Sequence, residues 1–430
     1  MKARRPDRSG RRERRGLGRD FWLYFSGQLL SQVGSSFTLF AFPLLVFSLT
    51  HSATNLALTT AAEYVPYLLF GLVLGALVDR LPRKRLMLGS DVARALVIVS
   101  IPCLALAGDL RVGAIYAVAF VQSTLGIIFQ CGEFAAIPSL VGGDDLVAAN
   151  GRIMATNSAG QVVGPLLAGV LVAFVAVSDL LFFDAFSFGI SALSLALIRT
   201  GFDAVPAPGA GPRPSTRVID DVKEGLHFVW SHPLLRSISI MMALINFASA
   251  TEYSQLVLFA EKVLGASNSQ TAVLFAAGAA GVVVVGLGAA PLRRHLSFAV
   301  CALGALVVSG LSVTVMALVG LYPPALALWA ASSGFGLLLN INTGSLRQAI
   351  VPPHLYGRVI SVAGVLAWSA IPLGALAGAA AIRLTHDNVA AVYAASGLLT
   401  AVIAGAFAFG PIRHGDRYLA EAKETATAAP

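Results

Sequence analysis

A short, strongly charged segment between two long apolar runs constrains this chain more than any other feature. Residues 79–85 read Asp-Arg-Leu-Pro-Arg-Lys-Arg, and the flanking runs at 53–78 and 86–107 are mostly apolar. Four cations and one acid so close together are too costly to lie within a lipid core, so such a segment lies at a membrane surface. The excess of positive charge predicts that this surface is the cytoplasmic one.

The composition agrees with a membrane protein. Of 430 residues, 57% are hydrophobic and 12% are charged, and the mean hydropathy is +0.78. A helix needs roughly 20 apolar residues to cross a bilayer. Twelve stretches meet this requirement, which predicts an all-α membrane protein. We number them as spans 1 to 12: 21–49, 53–78, 86–107, 112–134, 151–176, 179–198, 235–260, 268–290, 297–319, 323–346, 358–383 and 389–410.

The distribution of Lys and Arg predicts the orientation of the chain. Only Arg111, Lys262 and Arg383, three of the 30 cations, fall on connections at the predicted outer side. This bias predicts that both termini are cytoplasmic and that the protein lies in the cell membrane. The net charge of +8 is then explained by topology and by contact with anionic lipid, and we expect no nucleic-acid partner.

The chain divides into two similar halves. Residues 200–216 are rich in Pro, Gly and Ala and read as a linker, and 220–230 have the pattern of an amphipathic helix. Short sequences recur at an offset of roughly 206–210 residues, as expected of halves related by an axis along the membrane normal. The predicted regions are a basic tail (1–20), an N-terminal half (21–198), a linker (199–234), a C-terminal half (235–410) and a C-terminal tail (411–430).

The charged turn resembles the signature between the second and third helices of major facilitator transporters. The matching residues are Gly75, Leu77, Asp79, Arg80, Arg83 and Lys84, whereas Pro82 stands where that family usually has Gly. The resemblance extends over most of the chain, from Phe21 to Gly410. It implies two six-helix halves that enclose a substrate site near the middle of the bilayer.

Span 5 is similar to the antiporter-associated motif of the same family. Its matching residues are Gly151, Gly160, Gly164, Pro165 and Gly169, while Ala168 replaces one Gly of the motif. Small residues four apart let a neighbouring helix approach closely, and Pro bends a helix, although ordinary packing explains small residues as well. Residues 129–195 also resemble the branch of macrolide-efflux proteins and enterobactin exporters. Span 4 lacks the Arg that better-known drug antiporters carry there.

Charged residues within the predicted spans are costly and are therefore functional candidates. Asp91 and Arg94 lie one turn apart, and with Gly75, Asp79, Arg80, Arg83 and Lys84 they form a predicted gating cluster that links the halves. A carboxyl group in an apolar site can carry a proton near neutral pH. Four such candidates are present: Glu63, Glu133, Asp184 and Glu252. The alternative is a carboxyl group held by neighbouring hydroxyls for helix packing, which we favour slightly for Asp184.

In the resembled fold, spans 1, 4, 7 and 10 line the cavity. Their polar side chains are candidate substrate contacts: Gln28, Gln32, Ser35, Gln122, Gln130, Asn246, Tyr253, Asn340 and Thr343. Amides both donate and accept hydrogen bonds, and with the surrounding apolar residues they suit a bulky amphiphile, neutral or cationic. Hydrogen bonding between helices would use the same residues.

The expected function is export of a drug, macrolide, siderophore or other natural product by alternating access, driven by proton antiport. Proton-coupled uptake or facilitated diffusion is the alternative within the same class, and a non-transporting receptor or lipid-handling factor is the alternative outside it. No phosphate-binding loop or His-Glu-x-x-His pair is present. We therefore expect no enzyme activity, catalytic residue, metal or cofactor. The expected partners are substrate, protons and lipid, and we expect a monomer.

Overall fold

The structure is a computed structural model that describes residues 17–78, 81–141, 149, 152–153, 160, 163–164, 167–172, 174–202, 218–352 and 355–428. All regular secondary structure in these residues is helical. Ten of the helices that they form are long and apolar enough to cross a membrane. The all-α membrane class predicted from the sequence is therefore confirmed, and we keep the span numbers for the observed helices.

In the N-terminal half the helices follow the predicted spans closely. They are span 1 (Arg19–Thr50), span 2 (Ala53–Val78), span 3 (Arg83–Leu106), span 4 (Val112–Leu140) and span 6 (Leu180–Leu197). Span 4 continues six residues beyond its predicted end at 134, because a helix need not stop where the apolar core of the membrane stops. The described parts of span 5 lie within 152–171 and are helical.

In the C-terminal half two spans are broken into two helices each. The bounds are span 7 (Pro233–Ser254 and Leu256–Lys262), span 8 (Asn268–His295), span 9 (Phe298–Val319), span 10 (Tyr322–Ile350), span 11 (Tyr356–Trp368 and Ala370–Leu384) and span 12 (Val389–Phe407). The break in span 11 lies at Ser369. Pro372, which has no N–H to donate to the carbonyl of Trp368, accounts for it.

Two further α-helices of the described residues lie outside the spans. One, Val218–Ser231, covers the stretch where the sequence predicts an amphipathic helix, and the other, Gly415–Ala428, follows span 12. The linker helix packs on the start of span 11, where Arg358 forms an ion pair with Glu224. Val229 of this helix is buried in a cluster with Val351 and Val359 of the C-terminal half.

The two halves pack differently at the two ends of the bundle. We call the end where span 1 begins, which carries Arg83, Lys84 and Arg293, the basic end. At the opposite end, one hydrophobic core contains residues of both halves, among them Phe47 with Phe259. At the basic end, the described residues form separate cores: one holds Phe21, Met87 and Phe202, and the other holds Leu234, Phe298 and Ile412. The halves are therefore closed against each other at the end opposite the basic one.

Candidate functional site

A polar cavity of about 650 Å³ lies in the N-terminal half. Among the described residues, its walls come from spans 1, 2, 3, 4 and 6, together with Trp368 of span 11 in the C-terminal half. Proteins commonly bind small molecules in cavities of about 300–1,000 Å³ with a few placed polar groups. The cavity is therefore large enough for a drug-sized ligand.

Amide and hydroxyl groups from spans 1 and 4 line this cavity, and five of them are among the candidates from the sequence. They are Gln28, Gln32, Ser35, Gln122 and Gln130. On span 1 the first three are spaced four and then three residues apart, which brings them to one face of the helix. Gln28 is buried and donates from Nε2 to Ser191 Oγ of span 6 at 3.0 Å, so its orientation is fixed.

Arg94 of span 3 places a cation on the cavity wall. Its guanidinium lies 4.0 Å from the buried carboxylate of Asp91 and 4.0 Å from the ring centre of Phe188. Its Nε donates to Gln122 Oε1 at 3.2 Å, and Gln122 Nε2 donates back to the carbonyl oxygen of Arg94 at 2.8 Å. Asp91 also accepts a 2.6 Å hydrogen bond from Ser191 Oγ. Asp91 and Arg94 thus form an internal pair of the N-terminal half beside the cavity.

Two carboxylates on the cavity wall have hydroxyl partners. Tyr24 donates to Glu133 Oε1 at 2.5 Å, which joins span 1 to span 4. Thr38 of span 1 donates to Asp184 of span 6, and Ser187 Oγ lies 3.3 Å from the same carboxylate. The sequence singled out both acids but gave no sign of Tyr24 or Thr38, because those contacts join residues more than 100 positions apart.

Glu63 of span 2 faces the same cavity beside aromatic rings. Tyr64, Tyr67 and Trp368 all line the cavity with it. The rings of Tyr67 and Trp368 meet edge to face, with centroids 5.0 Å apart. Sequence reasoning missed all three rings, although Glu63 and Tyr67 are four residues apart and so share one face of a helix.

The four candidates from spans 7 and 10 lie outside this cavity. Asn246 donates to the carbonyl oxygen of Ala367 at 2.9 Å, beside the break in span 11, and Tyr253 stacks edge to face on Trp329. Asn340 and Thr343 each bond to carbonyl oxygens of their own helix. Substrate contact by these four residues stays a prediction.

Glu252 of span 7 is also separate from the cavity. It is buried between spans 7 and 12, where Ser396 Oγ donates to its Oε1 at 2.7 Å and the Tyr393 hydroxyl donates to its main-chain carbonyl at 2.6 Å. Its neighbours fit the alternative of a carboxyl group fixed by hydroxyls. Among the described residues, no group of three or more His, Cys, Asp or Glu side chains could hold a metal ion.

The structure describes part of the charged turn between spans 2 and 3. Gly75 lies in the helix of span 2, while Asp79 and Arg80 lie outside the described residues. Lys84 Nζ is 2.5 Å from the carbonyl oxygen of Ile198, and Arg83 Nη1 is 3.4 Å from that of Phe202. These cations bind carbonyl groups at and just after the end of span 6, where the helix leaves carbonyls unpaired.

The described glycines of span 5 lie against neighbouring helices, while Gly151 and Pro165 lie outside the described residues. A β-carbon on Gly160 would lie 2.9–3.2 Å from atoms of Gln32 in span 1, and one on Gly164 would lie 3.4 Å from the carbonyl oxygen of Val33. Gly169 approaches Ala272 of span 8 in the other half. Small residues in span 5 therefore permit the close helix contact that their spacing suggests.

Helices long and apolar enough to span a membrane form two halves that pack together at one end, and a polar cavity lies in one half. This architecture is that of a multi-pass membrane transport protein. Comparison with known proteins leads to the same class of protein. A family model described as the Major Facilitator Superfamily matches residues 24–375. The chain belongs to this superfamily, and it is a transporter and not an enzyme.

Relatives in sequence include two proteins named for efflux. The multidrug efflux pump Tap of Mycolicibacterium fortuitum is 31% identical over 80% of this chain and 85% of its own length. Macrolide efflux protein A of Streptococcus pyogenes is 23% identical over 84% of this chain and 88% of its own. Both alignments cover most of both proteins.

Solved structures support the fold. A bacterial homologue of the human lysosomal transporter Spinster, inward-facing and unoccupied, matches with a TM-score of 0.72 at 14% identity, covering 94% of this chain and 97% of its own. The nucleoside transporter NupG matches with a TM-score of 0.70 at 12% identity, covering 91% and 98%. At these identities the likeness concerns the fold alone.

Proposed function

We propose that this chain is a secondary exporter that moves bulky amphiphilic small molecules out of the cell by alternating access, driven by proton antiport. The observation that carries the proposal is the cavity, in which three carboxylates and one guanidinium stand among amides, hydroxyls and aromatic rings. The named activities of the relatives support export.

The orientation follows from charge. We propose that the basic end faces the cytoplasm of a cell membrane, because Lys and Arg concentrate on the cytoplasmic side of membrane proteins. The halves are closed at the other end, so a cavity reached from the basic end would take substrate from the cytoplasm or the inner leaflet. Rocking of one half against the other would then open the cavity to the outside.

Proton coupling is assigned to the cavity carboxylates. Glu133 and Asp184 each hold a hydroxyl partner, and neutralising either carboxylate would change how its two helices are joined. Moving one positive charge inward yields about 2.3 kcal/mol per 100 mV. For an uncharged substrate that energy sustains roughly a 40-fold concentration ratio. Glu252 has no contact with the cavity, and we assign it to packing between spans 7 and 12.

Transport into inverted vesicles tests this proposal. Vesicles containing the purified protein would be acidified inside and given macrolides, dyes and siderophores, with and without a protonophore. We expect protonophore-sensitive accumulation of at least one compound. Glu133→Gln and Asp184→Asn should lower accumulation above equilibrium at least tenfold, whereas Glu252→Gln should stay within about twofold, since each lost charge removes one coupled proton.

Other outcomes would contradict the proposal in distinct ways. Equilibration without accumulation would indicate facilitated diffusion, and accumulation only in right-side-out vesicles would indicate uptake. Specific binding without any flux would favour a receptor. If Glu252→Gln alone abolished coupling, the assignment of protons to the cavity of the N-terminal half would be wrong.

A further inference from the structure

Glu63 differs from the other carboxylates on the cavity wall. Glu133 and Asp184 accept hydrogen bonds from Tyr24 and Thr38. Within the described part of the chain, the Glu63 carboxylate takes part in no hydrogen bond or ion pair, and Ser123 donates only to its main-chain carbonyl. Glu63 is half-buried and lines the cavity. It is therefore the one of these three acids that a ligand could approach without displacing a hydrogen-bond partner.

Three aromatic rings surround the same part of the cavity. Tyr64 and Tyr67 follow Glu63 on span 2 with ring centroids 6.2 Å apart, and Trp368 packs on Tyr67. An aromatic face attracts a cation, Trp most strongly, and groups of aromatic rings are a common means of recognising quaternary ammonium groups. The combination of a carboxylate without a partner and three rings favours a positively charged ligand group.

The cation on the cavity wall has partners of its own. Arg94 is held by Gln122, by the Phe188 ring and by the nearby Asp91. Its charge is thus offset by Asp91, behind the cavity wall. When Glu63 is ionised, its charge has no such counter-ion among the described residues, and an anionic ligand would meet repulsion there.

We propose that Glu63, Tyr64, Tyr67 and Trp368 form a subsite for an organic ammonium group, so that the favoured substrates are bulky amines or quaternary cations. This inference rests on the proposed function and narrows its substrate class. Trp368 belongs to the other half and immediately precedes the break in span 11. A ligand in the subsite therefore contacts both halves, at a point where span 11 can bend.

Equilibrium binding in detergent, with no gradient, tests the subsite. The probes are radiolabelled 4-phenylbutyl-trimethylammonium and its uncharged tert-butyl isostere, which have nearly the same shape. We expect the wild-type protein to bind the cation at least about tenfold more tightly than the isostere, as an aromatic and acidic site should. Glu63→Gln and Trp368→Leu should each weaken cation binding about tenfold and leave isostere binding within about twofold.

Matched controls separate recognition from folding. Glu252→Gln removes a buried acid outside the cavity, and Trp230→Leu removes an indole from the linker helix. Neither should change the affinity for the cation. Trp368→Phe keeps a ring and should retain most of the affinity. Unchanged isostere binding and an unchanged thermal midpoint would show that the Glu63 and Trp368 variants are folded.

Equal affinity for the two probes would overturn the subsite, and so would equal losses in Glu63→Gln and Glu252→Gln. Because binding is measured without a gradient, its outcome is independent of the vesicle experiment. Cation-selective binding with no transport would leave the subsite standing and reject the exporter. If vesicles export only uncharged compounds and the protein binds both probes equally, the proposed export function would stand. The proposed ammonium subsite would then be wrong.

Discussion

The two halves share their helix packing but not their chemistry. In the N-terminal half, Gly160 of span 5 lies against Gln32 of span 1, and in the C-terminal half Gly374 of span 11 lies against Phe247 of span 7. The corresponding helices therefore use small residues at corresponding contacts, which are typical of helix interfaces in membranes. What the two halves share is therefore the close packing of their helix backbones.

The intramembrane acids are concentrated in the first half. The four acids Glu63, Asp91, Glu133 and Asp184 and the cation Arg94 lie there, and all but Asp91 line the cavity. The acid considered in the second half, Glu252, is enclosed by Ser396 and Tyr393. The two halves therefore keep a common packing, while most of the charged groups within the spans lie in the first half.

The largest effect on stability is expected at Arg94. Arg94→Met would leave the buried Asp91 carboxylate, one oxygen of which already lacks a hydrogen-bond partner in the described residues, without its counter-charge. Removing one member of a buried pair costs about 3–5 kcal/mol. We expect about 3 kcal/mol, the low end of that range, because the Arg94 side chain is 18% exposed. Denaturation with SDS would measure the loss.

An arginine in the second half serves as the control for Arg94→Met. Arg347 of span 10 has a buried Nη2 without a hydrogen-bond partner among the described residues, so Arg347→Met should change stability by less than about 1 kcal/mol. The double variant Arg94→Met/Asp91→Asn should recover part of the loss, since it removes both charges. Equal losses for the two arginine variants, or no recovery, would contradict the assigned pair.

The sequence could predict the helices and the charged residues within them, but not the hydrogen-bond partners of those residues. The apolar runs and the Lys and Arg distribution predict the helices, because the cost of placing charge in lipid is local and large. The three lining carboxylates of the described residues could be identified for the same reason. The partners were not, since the bonds from Tyr24 to Glu133 and from Asn246 to Ala367 join distant positions. The break in span 11 has a local cause in Pro372, whereas the one at Gln255 accompanies a bond to Ala53 of the other half.

A smaller effect is expected from filling the packed glycines. A β-carbon on Gly160 would lie 3.1 Å from the carbonyl carbon of Gln32, and one on Gly374 would lie 2.7 Å from that of Phe247. Because both neighbours are backbone atoms, Gly160→Ala and Gly374→Ala should each cost about 1–3 kcal/mol. Thermal unfolding of the purified variants would measure both losses.

Two glycines with open surroundings serve as controls. Nothing lies within 4 Å of a β-carbon on Gly126 of span 4 or Gly304 of span 9. Ala there should be neutral or slightly stabilising, because Gly is the poorer helix former. A loss at Gly160 without one at Gly374 would mean that the two halves do not share this packing. Equal losses at the two controls would show that the effect does not come from the close backbone contacts.

The smallest effects are expected at the basic turns, where the halves again differ. Lys84 binds the carbonyl of Ile198 and so joins span 3 to the end of span 6. Arg293, in the second half, bonds to the carbonyl of Leu296 at 2.8 Å and forms an ion pair with Asp416 of the C-terminal helix. A cation at the carbonyl end of a helix contributes about 0.3–1 kcal/mol, and exposed ion pairs contribute about as little.

Lys84→Met should therefore lower the free energy of unfolding by about 0.3–1 kcal/mol, with Arg85→Met, an exposed neighbour on the same turn, as a neutral control. Arg293→Met should change global stability as little but should release the helix Gly415–Ala428, because its ion pair holds the start of that helix. Limited proteolysis distinguishes the two: faster cleavage of the C-terminal helix is expected in Arg293→Met and not in Lys84→Met. Identical cleavage in both variants would mean that the two basic turns stabilise the structure in the same way. The difference between the halves would then be confined to the cavity.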